Sequence, residues 1–138
     1  MKIFLDANVL VSVMNKEYPV FSYSSRILSL ADSSKFKLYT SPICLAIAFY
    51  FAEKKSGATM AKQKISLLAD KIIITTVNEK TVQETVKNKQ IHDFEDGLQY
   101  NSAVDSGCKC IVTEDRGDFY FSKIEVLSSR EFLENHVF

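Results

Sequence analysis

Four glycines and two prolines in 138 residues leave little material for long irregular segments. Charge of either sign is not in excess. Seventeen Lys and Arg balance seventeen Asp and Glu, so no basic surplus announces a nucleic acid and no polybasic tail suits a membrane surface. If a polynucleotide binds, metal ions and a local patch must attract it. Cysteine is scarce: Cys44, Cys108 and Cys110 are odd in number and lack metal-site spacing. Cys108 and Cys110 stand two apart in an expected strand, which points them to opposite faces and argues against a mutual disulfide. They read as buried thiols of a reducing compartment. No run reaches the roughly 18 apolar residues of a membrane span, and no signal peptide precedes the first expected strand. The expectation is a soluble, cytoplasmic protein. A Gly-rich phosphate loop and a Ser-His-Asp order are absent too.

What is present is apolar content of 46%, with ten Phe and six Tyr, enough for one folded core. The whole of 1–138 is expected to form a single domain. Strand and helix patterns alternate along it. Residues 2–5 (KIFL) form a short apolar strand ending on Asp6, followed by helical spacing through Val9, Leu10, Val13 and Met14. A second helix carries Phe21, Ile27, Leu28, Leu30 and Ala31, and residues 36–40 give a second strand closed by Ser41 and Pro42. Residues 43–55 are apolar nearly all round until Glu53, which predicts a helix buried between the sheet and its neighbours. A fourth helix over 58–70 presents Met60, Ile65, Leu67 and Leu68. The run 71–77 (KIIITTV) is the strongest strand signal in the chain. Residues 78–90 predict an exposed amphipathic helix with Val82 and Val86 inward. A strand over 123–127 and a helix capped by the Ser128-x-x-Glu131 box complete the chain. The alternation predicts a parallel sheet with helices on both faces, a mostly parallel α/β fold in three layers.

The chemistry concentrates in residues 93–119. Phe94, Gly97, Leu98, Asn101, Ala103 and Val104 recur at helical spacing and Gly107 follows as a C-terminal stop, so a helix is expected over 93–106. A buried strand over 108–112 leads into the polar loop 113–119. In open parallel sheets ligands collect at the C-terminal strand ends. Asp96 at a helix start, with Asp93 and Glu95 beside it, and Asp115 and Asp118 on a strand-end loop would therefore meet over one sheet edge, joined by Asp6. Each has a plainer explanation. Asp6 is a favoured helix cap, and Asp93, Glu95 and Asp96 suit the solvated first turn of a helix dipole.

Asp6-x-Asn8 after the first strand, Asp96 opening a late helix, and Thr113-x-Asp115-x-x-Asp118-Phe119 after the next strand resemble the PIN domain family, in particular its VapC-like toxin nucleases. The resemblance implies a Rossmann-like three-layer α/β/α fold and a Mg²⁺- or Mn²⁺-dependent ribonuclease. It also implies a homodimer and a small antitoxin partner encoded alongside. Carried over by position, Asp6, Asp96 and Asp115 match the metal-binding acids, with Asp118 near or sharing the last place, and Asn8 and Thr113 support them. Asp93 is a further candidate for support.

One position departs from the family pattern. Active members carry a Glu in the helix that follows Ser41, where this chain has Ala46 and Ile47. Glu53 lies about two turns further on, at about 1.5 Å per residue, and should not reach the same point. Asp93, Glu95 or the second acid of the Asp115/Asp118 pair would supply the missing charge. Alternatively, the chain is a degenerate PIN-like module that binds RNA or a protein without cutting. The physical logic of such a cluster is independent of the family name. Hard cations take oxygen ligands and keep several waters, so two or three carboxylates hold one where substrate phosphate completes the shell. Among aromatic residues, Phe49, Tyr50 and Phe51 suit core and dimer contacts, and Phe119 suits the core. Tyr120 is placed to meet a base. His92 reads as a helix-start residue, or else as a metal ligand or an assisting base.

Overall fold

The structure, a computed structural model, describes residues 1–138. Its sheet is built from five parallel strands: Lys2–Leu5 (β1), Lys37–Thr40 (β2), Ile73–Ile74 (β3), Cys110–Val112 (β4) and Glu125–Leu127 (β5), in the order β3-β2-β1-β4-β5. Ile3 stands opposite both Leu38 and Cys110, so β1 is the central strand. Ile3, Phe4, Cys110, Ile111 and Val112 are wholly buried. That is why these strands read as unbroken apolar runs rather than as alternating ones.

Seven helices, Ala7–Met14 (α1), Phe21–Ser29 (α2), Pro42–Ser56 (α3), Ala58–Lys71 (α4), Glu79–Lys87 (α5), Phe94–Asp105 (α6) and Ser129–His136 (α7), complete the three-layer α/β/α arrangement. The strand order reverses at β1: the chain runs outward to β2 and β3, then returns to β4 on the other side. Such a reversal opens a crevice beyond the carboxyl ends of β1 and β4.

Local signals set most boundaries. Ser128 accepts from the Glu131 N–H while the Glu131 carboxylate accepts from the Ser128 N–H, the reciprocal cap that opens α7. Ser41 caps α3 by accepting from the Cys44 N–H, with Pro42 in the first turn. Phe119 is 2% exposed and plugs the core.

Three expectations are corrected. Only Ile73 and Ile74 of the run 71–77 form a strand, and both stay exposed, at 45% and 39%. α4 runs on through Lys71 with Ile72 as its cap, and β3 pairs only with β2, whose last residue Thr40 is already matched to Ile74 before Ser41 opens α3. Helix α3 is not buried all round. It buries the line Cys44, Ala48 and Ala52, small residues four apart that admit close packing on α1 and α4. Tyr50 and Phe51 are left 51% and 45% exposed. Finally, α5 turns Thr81 and Thr85 inward, while Val86 is exposed. Both threonines satisfy their hydroxyls inside: Thr81 in a capping box with Asn78, and Thr85 by donating to the Thr81 carbonyl and accepting from Asn101.

Candidate active site

Asp6 follows β1 directly, and its N–H still bonds the Val112 carbonyl of β4 at 3.0 Å. It is both a cap and more than a cap. Oδ1 accepts from the Ala7 N–H at 2.8 Å, which opens α1, while Oδ2 accepts from the Thr113 hydroxyl at 2.9 Å. Thr113, fully buried, continues β4 by bonding the Leu127 carbonyl. Asn8, in the first turn of α1, ties the two strand ends together. Its Nδ2 donates to Thr113 Oγ1 at 3.1 Å and to Asp115 Oδ2 at 3.3 Å, and its Oδ1 accepts from the Glu114 N–H at 3.1 Å. The Cys44 thiol lies 3.7 Å from Asp6 Oδ1 beneath this network.

Asp96 arrives on the first turn of α6. Asp93 caps that helix by accepting from the Asp96 N–H at 3.0 Å. The turn can sit where it does because residue 97 is glycine. A Cβ there would fall 2.5 Å from Thr85 Cγ2 and 2.6 Å from Ile91 Cγ2, so only a hydrogen fits between α6 and its neighbours.

Asp6, Asp96, Asp115 and Asp118 line one cavity of about 400 Å³ at the C-terminal edge of β1 and β4. With Glu95, which also lines it, five of the acids singled out in the sequence are brought together. Asp93 is occupied as a cap and does not line the cavity, and neither do Glu53 and His92. One further acid does: Glu17, in the segment after α1, for which no local signal exists. Ile47 and Phe51 of α3 form an apolar wall, and Ile47 is one of the two residues, with Ala46, near which the family resemblance puts a Glu. No Lys, Arg or His contributes to the lining. Arg116, between Asp115 and Asp118 in the chain, is paired with Glu131 at 3.1 Å.

This crowding has an electrostatic cost. Burial and the neighbouring Asp93, Asp118, Asp6 and Glu95 push the Asp96 carboxyl up to about 7. Burial likewise raises Asp6, against the hydrogen bonds from Ala7 and Thr113, and burial with Asp93 and Asp6 raises Glu95. Carboxylates held together without a cation behave in this way. The acids border the cavity without closing on one point: no three His, Cys, Asp or Glu side chains form a ready ligand set. The donor chemistry nevertheless fits a hard divalent cation. All the polar side-chain ligands are oxygens apart from the Asn8 amide nitrogen, their charge is unopposed, and Mg²⁺ commonly binds through one or two carboxylates with waters and substrate phosphate completing the shell.

A family model for the PIN domain matches residues 2–117. The chain belongs to the PIN domain family. Within it this PIN domain is VapC-like: it is 31% identical over 136 residues to Ribonuclease VapC1 of Aquifex aeolicus (strain VF5), spanning 96% of this chain and 94% of that protein. Among solved structures, VapBC2 from Rickettsia felis, bound to a DNA fragment from its promoter, superposes with a TM-score of 0.69 at 21% identity, covering 93% of this chain and 98% of that one. VapBC-1 from nontypeable Haemophilus influenzae gives 0.64 at 16% identity over 94% and 99% of the two chains. VapC20 of Mycobacterium tuberculosis, a sarcin-ricin loop cleaving toxin, gives 0.62 at 15% identity over 79% and 86%. At these identities the superpositions establish a shared PIN fold.

Proposed function

We propose that this PIN protein is a Mg²⁺- or Mn²⁺-dependent endoribonuclease, the toxin of a toxin–antitoxin pair, which hydrolyses RNA phosphodiester bonds at the Asp6–Asp96–Asp115 cavity. Its main support is that acids from three separate chain segments line one cavity with no cation in its walls. Asp6, Asp96 and Asp115 would hold the ion, with Asp118 assisting. Bound there, a divalent ion lowers the pKa of a coordinated water and offsets charge on the phosphate oxygens. The chain supplies the positioning. Thr113 and Asn8 orient Asp6 and Asp115, Asp93 fixes the first turn that carries Asp96, and Ile47 and Phe51 keep water from one side.

The similarity to Ribonuclease VapC1 favours RNA as substrate. An antitoxin partner is favoured by similar structures named VapBC rather than VapC alone. Tyr50 and Phe51 on α3, with Met60 and Leu67 on α4, expose apolar surface suited to a second copy of the chain or to that partner. Three free, buried cysteines fit a reducing cytoplasm, and no helix is long and apolar enough to cross a membrane. The alternative, a module that binds RNA or a protein without cutting, draws on Ile47, an apolar side chain in the cavity wall near the place of the family Glu.

Cleavage of mixed RNA with and without Mn²⁺, comparing wild type with Asp96→Asn, separates the two. Metal-dependent cutting by the wild type that Asp96→Asn abolishes is the expected result. Undetectable cutting in both, with no ion bound in calorimetry, favours the binding module.

A further inference from the structure

Next to Asp93 and two residues beyond Asp118 in the chain, His92 and Tyr120 form an aromatic pair that the chemistry above does not use. Tyr120 is 58% exposed, yet its ring is not free to move. Its hydroxyl donates to the Gln90 carbonyl at 2.7 Å and accepts from the His92 N–H at 3.2 Å. Its ring stacks on the exposed His92 imidazole, with centroids 5.8 Å apart and planes 22° from parallel. The Phe121 ring stands perpendicular to it with centroids 5.3 Å apart, and Phe121 is itself buried and packed against Tyr100 and Phe119. An exposed tyrosine ordinarily keeps rotamer freedom, which a ligand must remove on binding. Here that freedom is already lost, and the surface held still is an aromatic face joined through His92 to Asp93 and through the 118–120 turn to Asp118.

We propose that the His92–Tyr120 stack is a nucleobase platform for the RNA substrate, seating a base next to the phosphate bound at the cavity. The inference rests on the nuclease reading and names a subsite for it. Base stacking on an aromatic ring is tolerant of sequence because every base has a π-face, and it needs no basic groups. This is relevant for a chain with no net charge, whose cavity walls repel a polyanion. A base held by stacking would counter that repulsion and set the strand's position relative to Asp118. The contrasting role for Tyr120 is a strap, its hydroxyl merely fastening residues 90–92.

The test is binding of a short fluorescein-labelled single-stranded RNA, and of a ribose-phosphate strand of equal length without bases, measured by anisotropy with Mg²⁺. The Asp96→Asn background prevents turnover. Tyr120→Ala, or Tyr120→Leu should the alanine variant fold poorly, is expected to weaken RNA binding roughly ten- to a hundredfold. Tyr120→Phe, which keeps the ring and its packing on His92 and Phe121 but loses both hydroxyl bonds, should lose only a small part of what Tyr120→Leu loses, and the base-free strand should bind all of them alike. The platform is overturned if removing the ring leaves RNA binding unchanged, if Phe loses as much as Leu, if the base-free strand shows the same loss, or if the parent binds no RNA. A ring-dependent affinity in a wild type that does not cut would sink the nuclease reading alone. Cutting by the wild type with unaltered binding in Tyr120→Leu would sink the platform alone.

Discussion

Asn8 and Asp115 are 107 residues apart in the chain, and the Asn8 amide donates to the Asp115 carboxylate at 3.3 Å. Through this contact the first turn of α1 holds the loop after β4. The same amide reaches Thr113, and its oxygen holds the Glu114 N–H. Asn8→Ala removes every one of these bonds. It is expected to lower kcat/KM roughly ten- to a hundredfold, the usual effect of losing a residue that orients metal ligands. The cost in stability should be only about 1 kcal/mol, because the network is partly open to water. Cleavage kinetics beside thermal melts of the same preparations separate the two effects.

The crowding of Asp96 gives a pH dependence with a definite sign. Its folded-state pKa of about 7 lies above the ordinary 3.8, so between those values the folded protein binds more protons than the unfolded chain. Stability from this group is therefore complete below about pH 4 and is lost as pH rises through 7. A divalent ion in the cavity favours the ionised form and opposes the trend. Melting curves with and without Mg²⁺ should show the ion raising Tm more at pH 8 than at pH 5.

Ile47 lines the cavity from α3, near the place where the family resemblance puts a Glu. Ile47→Glu should tighten Mn²⁺ binding by roughly tenfold, since affinity for hard cations follows the number of charged ligands, and should raise the cleavage rate. Without metal the same variant should melt at lower temperature than the wild type, because another carboxylate joins an unopposed set. Calorimetric titration and metal-free melts check both halves.

Gly97→Ala tests the support of Asp96 from behind. Alanine is the better helix former by about 1 kcal/mol, but its Cβ would meet Thr85 and Ile91 at 2.5 and 2.6 Å. Both neighbours are β-branched and cannot swing aside. Overpacking should win, lowering stability by about 1–3 kcal/mol, and the displaced first turn should reduce cleavage by more than the folded fraction explains.

Where the sequence was informative, one local cause sufficed. An apolar run ending on Asp6 marked the central strand and its functional end, and the spacing of Ser128 and Glu131 marked the last helix. Where it misled, the decision lay elsewhere in the molecule. Residues 71–77 have strand composition, but their one partner, β2, ends at Thr40 opposite Ile74. Thr81 and Thr85 look like an exposed face until Asn78, Asn101 and Gly97 supply their partners. Glu17 joins the cavity only because the chain beyond α1 folds back toward it, which no spacing announces. Asp6, Asp96, Asp115, Asp118 and Glu95 are all marked in the sequence, and the strand-end rule already places them over one sheet edge, whereas the hydrogen bonds through Asn8 and Thr113 that hold two of them are visible only in the fold.

The most direct test is anomalous diffraction from crystals of this protein soaked in Mn²⁺. A peak in the cavity within bonding distance of Asp6, Asp96 or Asp115, lost in Asp96→Asn together with RNA cleavage, is the expected result. Metal-dependent cleavage with the ion bound elsewhere on the surface, or cleavage that survives Asp96→Asn undiminished, would contradict the account.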